Sequence, residues 1–215
     1  MGATFVSINV NQKPVNKDLL TQMKAILGLL DTDIDKACID LIHDLDDDNA
    51  SPFNNRILRF PKEKNKWIKT NQLLPVIKGL LLPGGCLHEK SHAERKRILI
   101  AYLDGVARTF PDAWADSKGE SYALLQPSSL QIVFGLLPDV MQRCDFYEAF
   151  AYTVTTFSRQ LGLLGEAALL SGWKRSAVEL PISTQGRRVM FLGQLKEALK
   201  VKAPPLPKEQ TGAST

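Results

Sequence analysis

The stretch TDIDKACIDLIHDL, residues 32–45, has a fully regular helical pattern within this sequence of 215 residues. Its apolar side chains recur at positions i, i+3, i+4, i+7, i+8 and i+11, a spacing that gathers them on one face of an α-helix. The residues on that face are Ile34, Ala37, Cys38, Leu41, Ile42 and Leu45. The stretch therefore predicts an amphipathic helix after Thr32.

Similar spacing predicts several other helices, so the predicted fold class is mainly α. These helices begin at or just after Asn16, Thr70, Ser91, Ser128 or Ser129, and Asp145. The helix from Asp145 should run through Phe157. A final helix contains Val189, Leu192, Leu195 and Leu199. Ser91 and Glu94 have capping-box spacing, and their helix should end before Pro111. The helix after Thr70 should run through Leu81, with Pro75 delaying its start or kinking it.

Two regions have strand character. Residues Thr4–Val10 alternate in polarity and are rich in β-branched side chains, which predicts a short N-terminal strand. Ile57–Phe60 and Lys66–Ile68 flank the charged turn Pro61–Asn65, and this arrangement predicts a small β-hairpin. We therefore expect a helical domain with a short N-terminal strand and a possible hairpin.

The composition excludes several classes of protein. With 44% hydrophobic residues, 14 Gly and 3 Cys, the chain is too apolar for a disordered protein and too poor in cysteine for a disulfide scaffold. It has no apolar run long enough to span a membrane, and residues 1–10 lack the features of a signal peptide. We expect a cytoplasmic protein that does not enter membranes and whose Cys38, Cys86 and Cys144 are reduced.

The net charge of +4 conceals a strong alternation along the chain. Residues 1–50 have net charge −5, residues 51–100 have +8, residues 101–150 have −4 and residues 151–215 have +5. The positive peak contains Arg56, Arg59, Lys62, Lys64, Lys66 and Lys69, with Phe60 and Trp67 among them. This composition suits a surface that follows phosphates and stacks bases. It equally suits an edge hairpin whose lysines discourage strand pairing.

A second basic pair, Arg187 and Arg188, follows the sequence STQG at residues 183–186, where the last helix begins. Backbone N–H groups and two guanidinium groups at a helix start suit a phosphate. The alternative is an ordinary helix start with exposed arginines.

Two clusters have residue types that bind metals. Asp44, Asp46, Asp47 and Asp48 form an acidic run, but Asn49 and Asn55 stand where an EF-hand needs Gly and Glu. We expect the helix to end near Leu45 and the run to be solvated, with a metal-dependent phosphodiesterase site as the alternative. Cys86, His88 and His92 have a non-standard spacing for zinc and fit a glycine-rich loop that leads into a capped helix. The sequence therefore predicts no metal ion, no cofactor and no catalytic residue.

Three segments carry a family resemblance. FVSINVNQKPV at residues 5–15 resembles the segment that follows the Asp-Gly-Gln-His-Arg motif in DGQHR-domain proteins, which include the DndB-type proteins of DNA phosphorothioation clusters. SPFNNRI at residues 51–57 and STQGR at residues 183–187 resemble later segments of the same family. The resemblance spans most of residues 4–200, and its motif residues at the strand-to-helix turn are Asn9, Gln12, Lys13 and Pro14.

The motif that gives the family its name does not occur in this chain. In the family it lies upstream of the strand, in a ParB-like α/β subdomain, so we expect the chain to be the C-terminal, mainly helical portion of such a protein. Residues 1–15 would complete the missing subdomain, residues 16–202 would form the helical domain, and residues 203–215 would be a disordered tail. The strand should then pair with a second copy of the chain or with a partner chain.

The resemblance implies a non-enzymatic, nucleic-acid-associated regulator of DNA modification or bacterial defence. Its partner would be DNA, bound through the basic residues between Arg56 and Lys69 and through Arg187 and Arg188. Two alternatives remain open: a fragment of a metal-dependent nuclease or NTPase, and a module that docks another subunit.

Overall fold

A computed structural model describes residues 17–30, 32–60, 63, 65–116, 119–164, 173 and 185–201. Within them lie helices α1 (Lys17–Ile26), α2 (Asp33–Asp47), α3 (Thr70–Leu81), α4 (His92–Thr109), α5 (Pro111–Ala115), α6 (Pro127–Tyr147), α7 (Val154–Gly162) and α8 (Gln185–Val201), and strands β1 (Ile57–Leu58) and β2 (Ile68–Lys69). The prediction of a mainly α fold is confirmed. The predicted N-terminal strand, with Asn9, Gln12, Lys13 and Pro14, and the predicted disordered tail lie outside the described residues. No helix in the described part is long and apolar enough to cross a membrane.

Helix α2 forms where the apolar pattern predicts it. Thr32 is its N-cap, and the Thr32 hydroxyl accepts the Asp35 N–H at 3.1 Å. Cys38, Leu41 and Leu45 on the predicted face have no exposed surface. Burial raises the pKa of the Cys38 thiol to about 12, so this cysteine behaves as apolar filler. The buried face of α2 packs against α3 and α4.

The flanking helix starts also follow the sequence. Helix α3 begins at Thr70, so Pro75 lies inside the helix and does not delay its start. Ser91 and Glu94 make the predicted capping box at α4, with the Ser91 N–H donating to Glu94 Oε2 at 2.9 Å. Helix α4 then packs closely on α7, because a Cβ added at Gly105 would lie 2.8 Å from Phe157 Cβ.

The predicted helix from Asp145 through Phe157 is wrong. Helix α6 continues to Tyr147, because Val140 and Cys144 extend its buried face. The chain then breaks at Ala149 and Phe150, whose φ angles of 47° and 62° are left-handed and end a helix. Thr153 caps the separate helix α7, and the short helix α5 was not predicted.

The predicted hairpin is also wrong, because β1 and β2 run parallel. Ile57 pairs with Ile68, and Leu58 pairs with Lys69. Both isoleucines are buried, and the N–H groups of Trp67 and Ile68 donate to the Arg56 carbonyl at 3.1 and 3.0 Å. A tight turn can join only antiparallel strands, so the parallel register excludes a hairpin.

Aromatic side chains join the helices in the core. Phe53, in the loop after α2, stacks on Trp114 of α5 with ring centroids 5.7 Å apart. Trp173 contacts Phe110 and Phe191 edge-on, each at 5.8 Å, and so connects the end of α4 with α8. The core therefore holds the Ser51–Ile57 loop against the helices.

Candidate nucleic-acid interface

The centre of the predicted basic region is a buried carboxylate. Asp46 lies in the last turn of α2, and its side chain is 1% exposed. Its Oδ1 accepts the Ile57 N–H at 2.9 Å, while its Oδ2 lies 2.7 Å from Lys66 Nζ and 3.1 Å from Arg59 Nε. We call Asp46, Arg59 and Lys66 the Asp46 site.

The backbone of Asp46 organises the loop that precedes β1. The Asp46 carbonyl accepts the Asn55 N–H at 2.9 Å and the Asn54 side-chain amide at 3.0 Å. Asn55 has a φ of 54°, a left-handed conformation that asparagine tolerates better than most residues. The family-like segment SPFNNRI therefore folds around the end of α2, with Phe53 buried beneath it.

The other carboxylates of the acidic run also have basic side chains as partners. Asp44 lies 2.7 Å from His92 Nε2, Asp47 lies 2.7 Å from Arg59 Nη2, and Asp48 lies 2.8 Å from Lys96 Nζ. Two expectations are corrected. The helix ends at Asp47 instead of near Leu45, and Asp46 is buried instead of solvated.

The three soft ligands of the sequence do not form a metal site. His88 Nδ1 lies 2.8 Å from the Leu81 carbonyl, His92 contacts Asp44, and burial raises the pKa of the Cys86 thiol to about 11. Nowhere in the described ranges do three or more His, Cys, Asp or Glu side chains come together as metal ligands.

The side chains of Arg59 and Lys66 are engaged in contacts within the fold. Each side chain is 17% exposed, and Arg59 Nη2 also donates to the His43 carbonyl at 2.9 Å. Glu63 Oε2 accepts the N–H groups of Arg59 and Phe60 at 2.7 and 2.8 Å. Burial opposes ionisation of Glu63, but these N–H donors and Lys66 together lower its pKa. Lys62 and Lys64 lie outside the described residues.

Arg56 differs from its neighbours in the same stretch. It is half-buried, and no carboxylate of the described residues contacts it. Its Nη1 is buried without a hydrogen-bond partner, and burial lowers the pKa of the guanidinium. Arg56 directly precedes β1, and Lys69 is an exposed residue of β2. Among the described members of the predicted basic stretch, Arg56 and Lys69 are the two that no carboxylate of the described residues contacts.

The second predicted basic pair lies in the first turn of α8. Arg187 is exposed, and Arg188 lines a cavity of about 300 Å³ with Gln131 and Val189. Ser183 and Thr184 lie outside the described residues. This surface is formed by α6 and α8, whereas the Asp46 site is formed by α2 and the two strands.

The central role of Asp46 was missed from sequence, although one signal pointed to it. Asp46 lies four residues after Ile42 and eight after Cys38, which places it on the apolar face of α2. An aspartate on a buried face needs cationic and N–H partners, and the nearby basic stretch provides them. No family model, no curated protein and no solved structure matches this chain.

Proposed function

We propose that this chain is a non-enzymatic, nucleic-acid-associated protein that contacts the DNA backbone through Arg56 and Lys69. Arg187 and Arg188 would provide a second phosphate contact. The resemblance to DGQHR-domain proteins adds the expectation that it regulates DNA modification or defence. Pairing of the N-terminal strand with a second copy or a partner chain stays a prediction, because Thr4–Val10 lies outside the described residues.

Arg56 is the observation that carries this proposal. Removing a guanidinium from water is costly unless an anion or hydrogen-bond acceptors replace the lost hydration. Arg59, three residues later, also has a buried nitrogen without a hydrogen bond, its Nε, but its guanidinium is paired with Asp46 and Asp47. Arg56 meets no carboxylate in the described part of the chain. A phosphate accepts two parallel hydrogen bonds from one guanidinium, so a nucleic-acid backbone suits Arg56.

The Asp46 site would then support the interface without touching DNA. Arg59 and Lys66 already pair with Asp46, and Asp46 Oδ1 accepts the N–H of Ile57, the residue after Arg56. We therefore assign Arg59 and Lys66 as positioning residues. Because each carboxylate of the acidic run contacts an arginine, lysine or histidine side chain, nothing in the described part favours the metal-dependent nuclease alternative.

The test is the salt dependence of binding to a labelled random-sequence DNA duplex, measured by fluorescence anisotropy between about 50 and 200 mM salt. Arg56→Gln and Lys69→Gln should each weaken binding and reduce the salt slope by about one phosphate contact. Lys36→Gln is the matched control, because Lys36 is an exposed lysine on α2 outside the basic stretch.

Arg56→Lys sharpens the experiment. Lysine keeps the positive charge but lacks the planar guanidinium that forms two parallel hydrogen bonds. The salt slope should therefore stay unchanged while the affinity for DNA falls. Thermal unfolding of every variant shows whether the fold is retained. Equal affinities and equal slopes for wild type, Arg56→Gln and Lys69→Gln would overturn the proposed contact.

A further inference from the structure

A second candidate site lies between the C-terminal halves of α6 and α8. It is a cavity of about 320 Å³, a size at the lower end of small-molecule sites. Its wall includes Asp139, Arg143 and Phe146 from α6 and Lys196, Leu199 and Lys200 from α8. We call it the α6–α8 cavity.

The floor of the cavity is a fixed cation. Arg143 is 9% exposed, and its Nε donates to Gln160 Oε1 at 2.8 Å. Its Nη1 donates to the Leu199 carbonyl at 2.9 Å, near the end of α8. The guanidinium also lies 5.0 Å from the centre of the Tyr147 ring. These contacts hold a positive charge beneath an aromatic surface.

The rim adds two lysines and an exposed ring. Lys196 Nζ lies 2.7 Å from Asp139, and Lys200 pairs with Glu197 at 2.8 Å in a contact whose side chains are both about two-thirds exposed. Exposed pairs are weak, so Lys200 can exchange its partner for a ligand anion. Among the charged side chains that line the cavity, three cations face one carboxylate. Phe146 is 60% exposed beside them.

We propose that the α6–α8 cavity binds a nucleotide, with the base against Phe146 and the phosphate at Lys196 and Lys200. A stacking surface beside a net positive charge suits a planar ring that carries an anionic group. The same chemistry occurs in a free mononucleotide and in an unpaired nucleotide of a single strand. The inference does not rest on the contacts proposed at Arg56.

Calorimetric titration of the full chain with adenosine monophosphate, adenosine and inorganic phosphate tests this site. The mononucleotide should bind at least about tenfold more tightly than either fragment, because only it engages both the ring and the lysines. Phe146→Ala should weaken binding by about fivefold or more, the loss of one base stack. Phe150→Ala is the matched control, because Phe150 is 67% exposed but does not line the cavity.

Lys200→Gln should also weaken mononucleotide binding, whereas Lys36→Gln should leave it unchanged. A single-stranded oligoadenylate separates the two sources of the ligand. If the oligonucleotide binds and the mononucleotide competes with it, the ligand is a nucleotide within a single strand. If only the mononucleotide binds, the ligand is a free nucleotide. The proposal is overturned if neither binds, or if Phe146→Ala and Phe150→Ala have equal effects. Since Arg56 lies outside this site, failure here leaves the duplex experiment unaffected.

Discussion

The Asp46 site and the α6–α8 cavity contain the same types of charged residue, but they differ in how far those residues are buried. Each brings cations together with a carboxylate. At the Asp46 site the shared carboxylate is 1% exposed, and both cations point inward to it. In the α6–α8 cavity Arg143 is the buried cation, Lys196 is partly exposed and paired with Asp139, and Lys200 and Phe146 are exposed.

This difference shows that burial, not composition, decides what a basic cluster does. A charge that is already neutralised inside the fold has little left to offer a ligand, but its removal disturbs the fold. A solvated charge contributes little to folding and remains available for exchange. Substitutions at the two sites should therefore separate stability from binding.

Asp46→Asn should have the largest effect on stability. It leaves Arg59 and Lys66 desolvated without their shared carboxylate, so the free energy of unfolding should fall by about 3 kcal/mol. Urea denaturation followed by circular dichroism measures this loss.

Asp47→Asn is the matched control for Asp46→Asn. Asp47 is the next residue and also contacts Arg59, but its side chain is 67% exposed. The control should cost less than about 1 kcal/mol. Equal losses for the two variants would contradict the distinction between buried and solvated carboxylates.

Arg143→Met should have the next largest effect, because Arg143 is the one buried cation of the cavity wall. The substitution leaves the Gln160 side chain and the Leu199 carbonyl without their donor, which should cost about 2 kcal/mol. Arg159→Met is the control, since Arg159 is 58% exposed in its pair with Glu148. If thermal unfolding gave the same loss for both, Arg143 would have no special structural role.

The helices were predictable from sequence wherever local signals agreed. The apolar spacing of α2 and the capping box of α4 both appear in the structure. These features depend on residues three or four positions apart, so the sequence contains them directly. The end of α6 was mispredicted because the left-handed residues Ala149 and Phe150 carry no glycine signal.

The pairing of distant segments was not predictable in the same way. The parallel register of Ile57 with Ile68 depends on a shared core, and turn-like residues between them suggested a hairpin instead. The partners of Asp46 lie 13 and 20 residues away in sequence, so the basic stretch looked like a free surface. Arg56 and Arg59 lie three residues apart in the same basic stretch, and the fold distinguishes them.

The smallest predicted effect concerns Asp48, the most C-terminal member of the acidic run. Its pKa lies below the ordinary value, first because Lys96 hydrogen-bonds the carboxylate and then because the Ala50 N–H does so. A lowered folded-state pKa means that the contribution of Asp48 to stability is present at neutral pH. That contribution is lost as the pH falls through the folded-state value.

Lys96→Met should therefore raise the pKa of Asp48 toward its ordinary value, and an NMR titration of the Asp48 carboxyl measures the change. Some lowering should persist, since the Ala50 N–H still donates at 2.9 Å. Thermal stability at neutral pH should change by less than about 1 kcal/mol, because ion pairs at the surface contribute little and this pair is partly exposed. An unfolding loss comparable to that of Asp46→Asn would mean that Asp48 belongs with the buried charges. The distinction between buried and solvated charges would then not hold within the acidic run.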